Sequence, residues 1–199
     1  MKVSVDFFIR YGKNKEMREI VDNANNYLSS YFADDNNIKE REILYETLYG
    51  LKKAFVDKYD LSMDEIYKRL LHLDVIERKA SSIFKNGLLG YLETDVDSKD
   101  IRCSNLSIKK GSLKIRRDYR GILTHEIIHL LSQKYIIRNN SIVLGDCGLE
   151  RDSRYVYINE IMTEKVTAEI LSTLGYEVKS INKTLKFAKN PVMKIEVKS

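Results

Sequence analysis

With 199 residues, 43% of them hydrophobic and including 13 Tyr and 6 Phe, the chain holds material for one domain, or one with a small appendage, which excludes global disorder. Charged residues make up 32% in mixed sign, and the net charge of +5 comes with no basic block interleaved with aromatics, so no nucleic-acid surface is expected. No apolar run approaches transmembrane length, and Met1 to Asp6 reads as no signal peptide, so the expectation is a protein without a membrane partner in the cytoplasm, or a secreted one if a leader has been removed.

Val3, Val5, Phe7 and Ile9 alternate with Ser4, Asp6 and Phe8, which predicts an opening strand ended by Gly12. Lys15 to Phe32 carries a helical stripe of Met17, Ile20, Val21, Ala24, Tyr27, Leu28 and Tyr31. Asp34 to Asn37 reads as a loop, and Arg41 to Tyr59 as a second helix through Ile43, Leu44, Leu48, Leu51, Phe55 and Val56. Ser62 with Glu65 forms a capping box for a third helix from Met63 to about Phe84. His72 falls in that helix among leucines, where a packed or surface role is expected.

The pattern changes near Asn86-Gly87. A short strand is expected at Gly90 to Glu93, and a hairpin or edge strand at Leu106 to Ile108 and Leu113 to Arg116. Gly121 to Leu131 is apolar and helical. Tyr135 to Ile137 and Ile142 to Leu144 flank a turn, Gly145 to Ser153 is a loop, and Tyr155 to Ile158 is short and β-prone. Asn159 to Leu174 is the last clear helix, stopped by Gly175; beyond it Val178 to Ser199 is basic, with a strand expected at Val192 to Val197. The two cysteines, Cys103 and Cys147, are too few for a disulfide framework and read as free thiols, with a single disulfide or a thiolate near a metal as the alternatives.

The chemistry lies in Thr124-His125-Glu126-Ile127-Ile128-His129, an HExxH pattern inside a helix. Residues four apart share a helix face, so His125 and His129 can aim their imidazoles at one tetrahedral zinc ion. Glu126 is placed as the general base for metal-activated water. Two of the three histidines in the chain fall in this pattern. The helix around them is apolar on nearly every side, and buried imidazoles with a carboxylate need compensation, for which a metal is the simplest source.

Downstream stands Asn159-Glu160-Ile161-Met162-Thr163-Glu164. Here the chain resembles the gluzincin metallopeptidases, the thermolysin-like branch of the zincins, whose second motif is an NExxSD-type helix. The resemblance covers the two motif helices and the strand before them. It implies Glu160 as third zinc ligand and Glu164 as the carboxylate that orients a ligating histidine, with Thr163 and Glu164 standing where the family has Ser and Asp. Glu150, Asp146 and Glu164 are the alternative ligands. It also implies an edge strand at Leu113 to Arg117 that binds an extended peptide or protein substrate, with Lys114, Arg116 and Arg117 beside it. Tyr155 and Tyr157, before the ligand helix, are candidates to stabilise the oxyanion, as is Arg154.

The expected fold is α+β: a zincin-like catalytic region over 88–199, with a small sheet, an edge strand, the active-site helix and the ligand helix, preceded by an N-terminal strand and helical region over 1–87, or all of this as one continuous domain. The expected function is a zinc metallopeptidase. The alternatives are a regulatory or structural domain with a closed zinc site sealed by a fourth ligand such as Cys147, and a basic nucleic-acid-binding adaptor.

Overall fold

The structure is a computed structural model that describes residues 2–59, 62–70, 73–78, 90–96, 101–109, 119–147 and 156–177. In five strands it describes the backbone alone, apart from the side chain of Leu73.

The chain opens as a helix, α1 (Val5–Tyr11), where a strand was expected. Apolar residues at 5, 7, 8 and 9 fit either period, and the cap decides. Ser4 accepts a hydrogen bond from the Phe7 N–H, which starts a helix at that point. Phe7 and Tyr11, one turn apart, then share the buried face, with ring centroids 5.0 Å apart. Val5, Phe8 and Ile9 face outward.

Asn14 caps α2 (Lys15–Asn25), which buries Met17, Ile20 and Ala24. The helix expected to reach Phe32 stops at an asparagine-rich turn, because Asn favours caps and turns over helix interiors. A single turn, α3 (Ser30–Ala33), follows, and the Ser29 hydroxyl donates to the Leu73 carbonyl. After a 3-10 turn at Asp35–Asn37 comes α4 (Ile38–Leu51), buried on most of its surface. It runs on through a π-helical turn, Lys52–Val56, into α5 (Asp57–Tyr59). Arg41 is fully buried in α4; its guanidinium donates to the carbonyls of Lys2, Phe32, Ala33 and Asp34, tying the N-terminus to the α3–α4 connection.

Ser62 caps α6 (Met63–Lys68), but the long third helix is not formed. Five residues later the chain is extended, and β1 (Leu73–Arg78) pairs in parallel with β3 (Ile101–Lys109), with Val75 opposite Leu106. β2 (Gly90–Val96) pairs antiparallel on the other side of β3. A pairing across some 30 residues of chain outweighs local helix propensity here. β4 (Gln133–Arg138) and β5 (Ser141–Cys147) form a separate antiparallel pair, joined by Asn139 and Asn140. Both asparagines have positive φ, 51° and 59°, as a two-residue type I′ connection demands.

Two longer helices complete the described chain. They are α7 (Tyr119–Ser132) and α8 (Val156–Thr173), the latter absorbing the strand expected at Tyr155 to Ile158 from Val156 onward. Gly175, at φ +79°, ends α8 at the position expected for it, and the Tyr176 N–H reaches back to the Leu171 carbonyl at 2.9 Å.

The expected α+β zincin-like domain is not what the structure supports. The part of the chain with described side chains is about 80% helical, and its core lies between helices. Leu73, the one strand residue whose side chain is described, belongs to that core. The physical reason is that α4 and α7 are both buried nearly all round: α7 packs on α4 and α8 as well as on β2, so it is not laid on one sheet with a solvated outer face. One cluster joins Phe7, Met17, Ile20, Leu44, Tyr45 and Leu48 to Leu123, Ile127 and Leu130. The motif helix thus shares its core with the helices that precede residue 87. A second cluster sets Ile128 of α7 beside Ile170 and Leu174. Among the described residues, no helix is long and apolar enough to cross a membrane.

α4 approaches α8 closely at Gly50. A Cβ there would lie 2.7 Å from Ile170 Cγ2 and 3.2 Å from the Ile170 carbonyl oxygen. Gly50→Ala gains helix propensity but overpacks this contact, and is expected to destabilise the protein by about 1–3 kcal/mol in urea unfolding. Unchanged or raised stability would mean that α4 and α8 separate without cost.

Candidate metal centre

α7 carries the HExxH residues along its buried length. Leu123, Ile127 and Leu130 turn into the main core and Ile128 toward α8, leaving His125, Glu126 and His129 on the remaining surface. His129 and Glu126 are each only 8% exposed.

α8 meets this surface running antiparallel to α7: His129 faces Glu160, His125 faces Glu164, and Gly121 faces Leu171. Three side chains converge. His125 Nε2 lies 3.0 Å from His129 Nε2, His125 Nε2 lies 3.2 Å from Glu160 Oε2, and His129 Nε2 lies 3.2 Å from Glu160 Oε1. These three residues form the one candidate metal-binding cluster among the described residues. The spacing suits a small cation: four donors at about 2.0–2.1 Å from a tetrahedral zinc stand roughly 3.3–3.4 Å from one another. Two imidazole nitrogens and a carboxylate oxygen are also a zinc-type donor set.

The outward nitrogen of His125, Nδ1, lies 3.2 Å from Glu164 Oε2. The contact is within ion-pair range, although Nδ1 lacks the alignment of a hydrogen bond. A carboxylate in this position orients a ligating imidazole and raises its basicity. Glu160 and Glu164 are one turn apart on α8, so a single helix face supplies both. Next to that face runs a buried polar line of Asn159, Thr163 and Thr167.

The electrostatics follow from burial and pairing. Burial works to lower the His125 pKa, but Glu160 and Glu164 outweigh it and lift the imidazole to about 9. Burial works to raise Glu160, but contacts with His125 and His129 hold it down to about 2. Glu126 is pushed above the usual carboxylate range, chiefly by burial, with the two histidines opposing the rise.

A pH dependence follows for the metal-free protein. His125, raised from 6.5, contributes its full stabilisation below about pH 6.5 and loses it as pH climbs through about 9. Glu160, lowered from 4.5, contributes above about pH 4.5 and loses it as pH falls through about 2. In the absence of metal, a proton on His125 takes the cation's part. Zinc added at pH 7 is therefore expected to release about one proton per site, read by a pH indicator in weak buffer. Zinc uptake without proton release would place the ion elsewhere.

The remaining predicted residues divide by what is described. Tyr157 enters the first turn of α8 by its backbone, as does Asp146 in β5; Cys103 lies in β3 and Cys147 ends β5. Tyr155, Arg154, Glu150, His72 and the edge strand at Leu113 to Arg117 lie outside the described residues, as does the strand expected at Val192 to Val197.

Sequence reasoning missed two groups that hold α7 in place. The Thr124 hydroxyl, beside His125, lies 3.1 Å from the Thr47 hydroxyl of α4. One turn earlier, Arg120 pairs with the buried Glu46 of α4. One signal was present in the sequence: a cation in the first turn of a helix opposes the macrodipole and calls for an acidic partner. Comparison with known proteins finds no protein family, no curated protein and no solved structure that matches this chain.

Proposed function

We propose that this chain is a zinc-dependent metallopeptidase, with His125, His129 and Glu160 as metal ligands and Glu126 as general base. The observation that carries this reading is the meeting of His125, His129 and Glu160 from two helices at 3.0–3.2 Å, with a buried glutamate next to the first histidine. Glu164 supports it by standing on the outer nitrogen of His125.

A zinc ion held by these residues would supply Lewis acidity at neutral pH. Glu126 then has the base's task, taking a proton from the attacking water and passing it to the leaving amine. Its raised pKa brings the carboxyl nearer the pH at which it both accepts and returns a proton. The oxyanion partner on this reading is Tyr155 or Tyr157, and the substrate is a peptide or protein.

The test is metal analysis of purified protein, together with digestion of a peptide library by wild type and Glu126→Gln. About one zinc per chain and cleavage lost only in the variant support the reading. A protein that takes up no zinc refutes it, and one that holds zinc but cleaves nothing leaves the closed structural site in its place.

A further inference from the structure

The side chain of Glu46 is only 5% exposed, in the middle of α4. A buried carboxylate is costly unless it is surrounded by donors, and here four structural elements supply or flank them. Glu46 Oε2 meets Arg120 Nη1, from the first turn of α7. Glu46 Oε1 accepts a hydrogen bond from the Tyr176 hydroxyl at 3.0 Å, just beyond α8, and lies 3.5 Å from Arg10 Nη1 of α1. Arg10 also donates to the Tyr176 hydroxyl and, at 2.9 Å, to the Leu174 carbonyl. Both guanidinium groups lie over the Tyr176 ring, 4.7 and 4.4 Å from its centre.

The location of this node matters. α7 and α8 are antiparallel, so Arg120 and Tyr176 lie at the same end of the pair. The His125, His129 and Glu160 cluster lies further along it. Arg120 precedes His125 by five residues, about 7.5 Å along the helix axis. Between them the Thr124–Thr47 contact sets α7 against α4 a second time. A slide of α7 along α8 is thus opposed at one end by Glu46 and its partners. The same slide would change the spacing of the imidazole nitrogens from the Glu160 carboxylate, and metal donors tolerate only small displacements.

We propose that Glu46 is a positioning residue for the candidate metal centre: through Arg120 and Tyr176 it sets the axial register of the helices that carry His125, His129 and Glu160. The inference rests on the reading of that cluster as a metal site. Glu46 acts through the helix pair and touches none of the three ligands.

The experiment measures the zinc Kd of the full chain by competition with a chromophoric chelator, and the visible spectrum of the cobalt-substituted protein. Glu46→Gln keeps the shape and removes the charge. It is expected to weaken zinc binding by roughly 3- to 30-fold and to shift the cobalt bands. Tyr176→Phe, which removes one hydroxyl, should move both readouts in the same direction by less, and it carries the test if Glu46→Gln fails to fold. Phe32→Leu, in α3, which packs on α4 and β1, serves as the stability control: it should lower Tm and leave the zinc Kd and the cobalt spectrum unchanged. Wild-type Kd and spectrum in both node variants would overturn the proposal, as would an equal shift in Phe32→Leu. Failure of the wild type itself to bind zinc or cobalt would instead overturn the metal-site reading, and this proposal with it.

Discussion

Glu126→Gln is expected to leave zinc bound and to slow peptide hydrolysis by roughly 10²–10⁴-fold, the usual worth of a positioned general base. The substitution keeps the side chain's size in a pocket where Glu126 is 8% exposed, so packing changes little. It also keeps the metal, since His125, His129 and Glu160 supply the converging donors without Glu126. What disappears is the ability to take and return a proton. The result is read as kcat on a peptide identified from the library digest, with zinc content measured on the same sample. Loss of the metal together with the activity would make Glu126 a ligand rather than a base. Full activity in the variant would remove it from the mechanism.

Chelation is expected to have the largest effect on stability. An ion that binds the folded protein alone, at a free concentration about 1,000 times its Kd, stabilises it by about 4 kcal/mol. For a chain of this size that corresponds to a fall in Tm of roughly 8–16 °C when the metal is removed. The fall should grow from pH 6.5 upward. In that range the metal-free protein progressively loses the stabilisation supplied by protonated His125, and the metal competes less and less with the proton as pH approaches about 9. His129→Ala should lie near the metal-free Tm at every pH and respond to neither zinc nor chelator. Identical melting curves with and without chelator would refute a bound metal that contributes to folding.

The candidate site was legible because its chemistry is local. His125 and His129 are four residues apart, and so are Glu160 and Glu164; helical geometry alone puts each pair on one face. That the two pairs meet, with the second acid on the outer nitrogen of the first histidine, was implied only by resemblance, and the packing of α7 on α8 now gives it distances. Helix ends with a chemical marker were equally legible: Ser62 begins α6, and Gly175 ends α8. Where two periods fitted the same apolar residues, the reading failed. Val5 to Ile9 satisfies both, and the Ser4 cap with the Phe7–Tyr11 pair against the core selects the helix.

The sequence by itself determined the side chains of the candidate metal-binding cluster and the helical stretches that present them, because a repeat of 3.6 residues is written in neighbouring positions. Only the tertiary structure decided what surrounds them. The end of the third helix at Lys68 depends on β1 pairing with β3, the covering of α7 depends on α4, α8 and β2, and the Glu46 node depends on residues from four elements. These contacts join positions from about 30 to more than 160 residues apart. A local pattern carries no record of such partners, since the free energy that selects them arises only when distant apolar faces and buried charges are brought together.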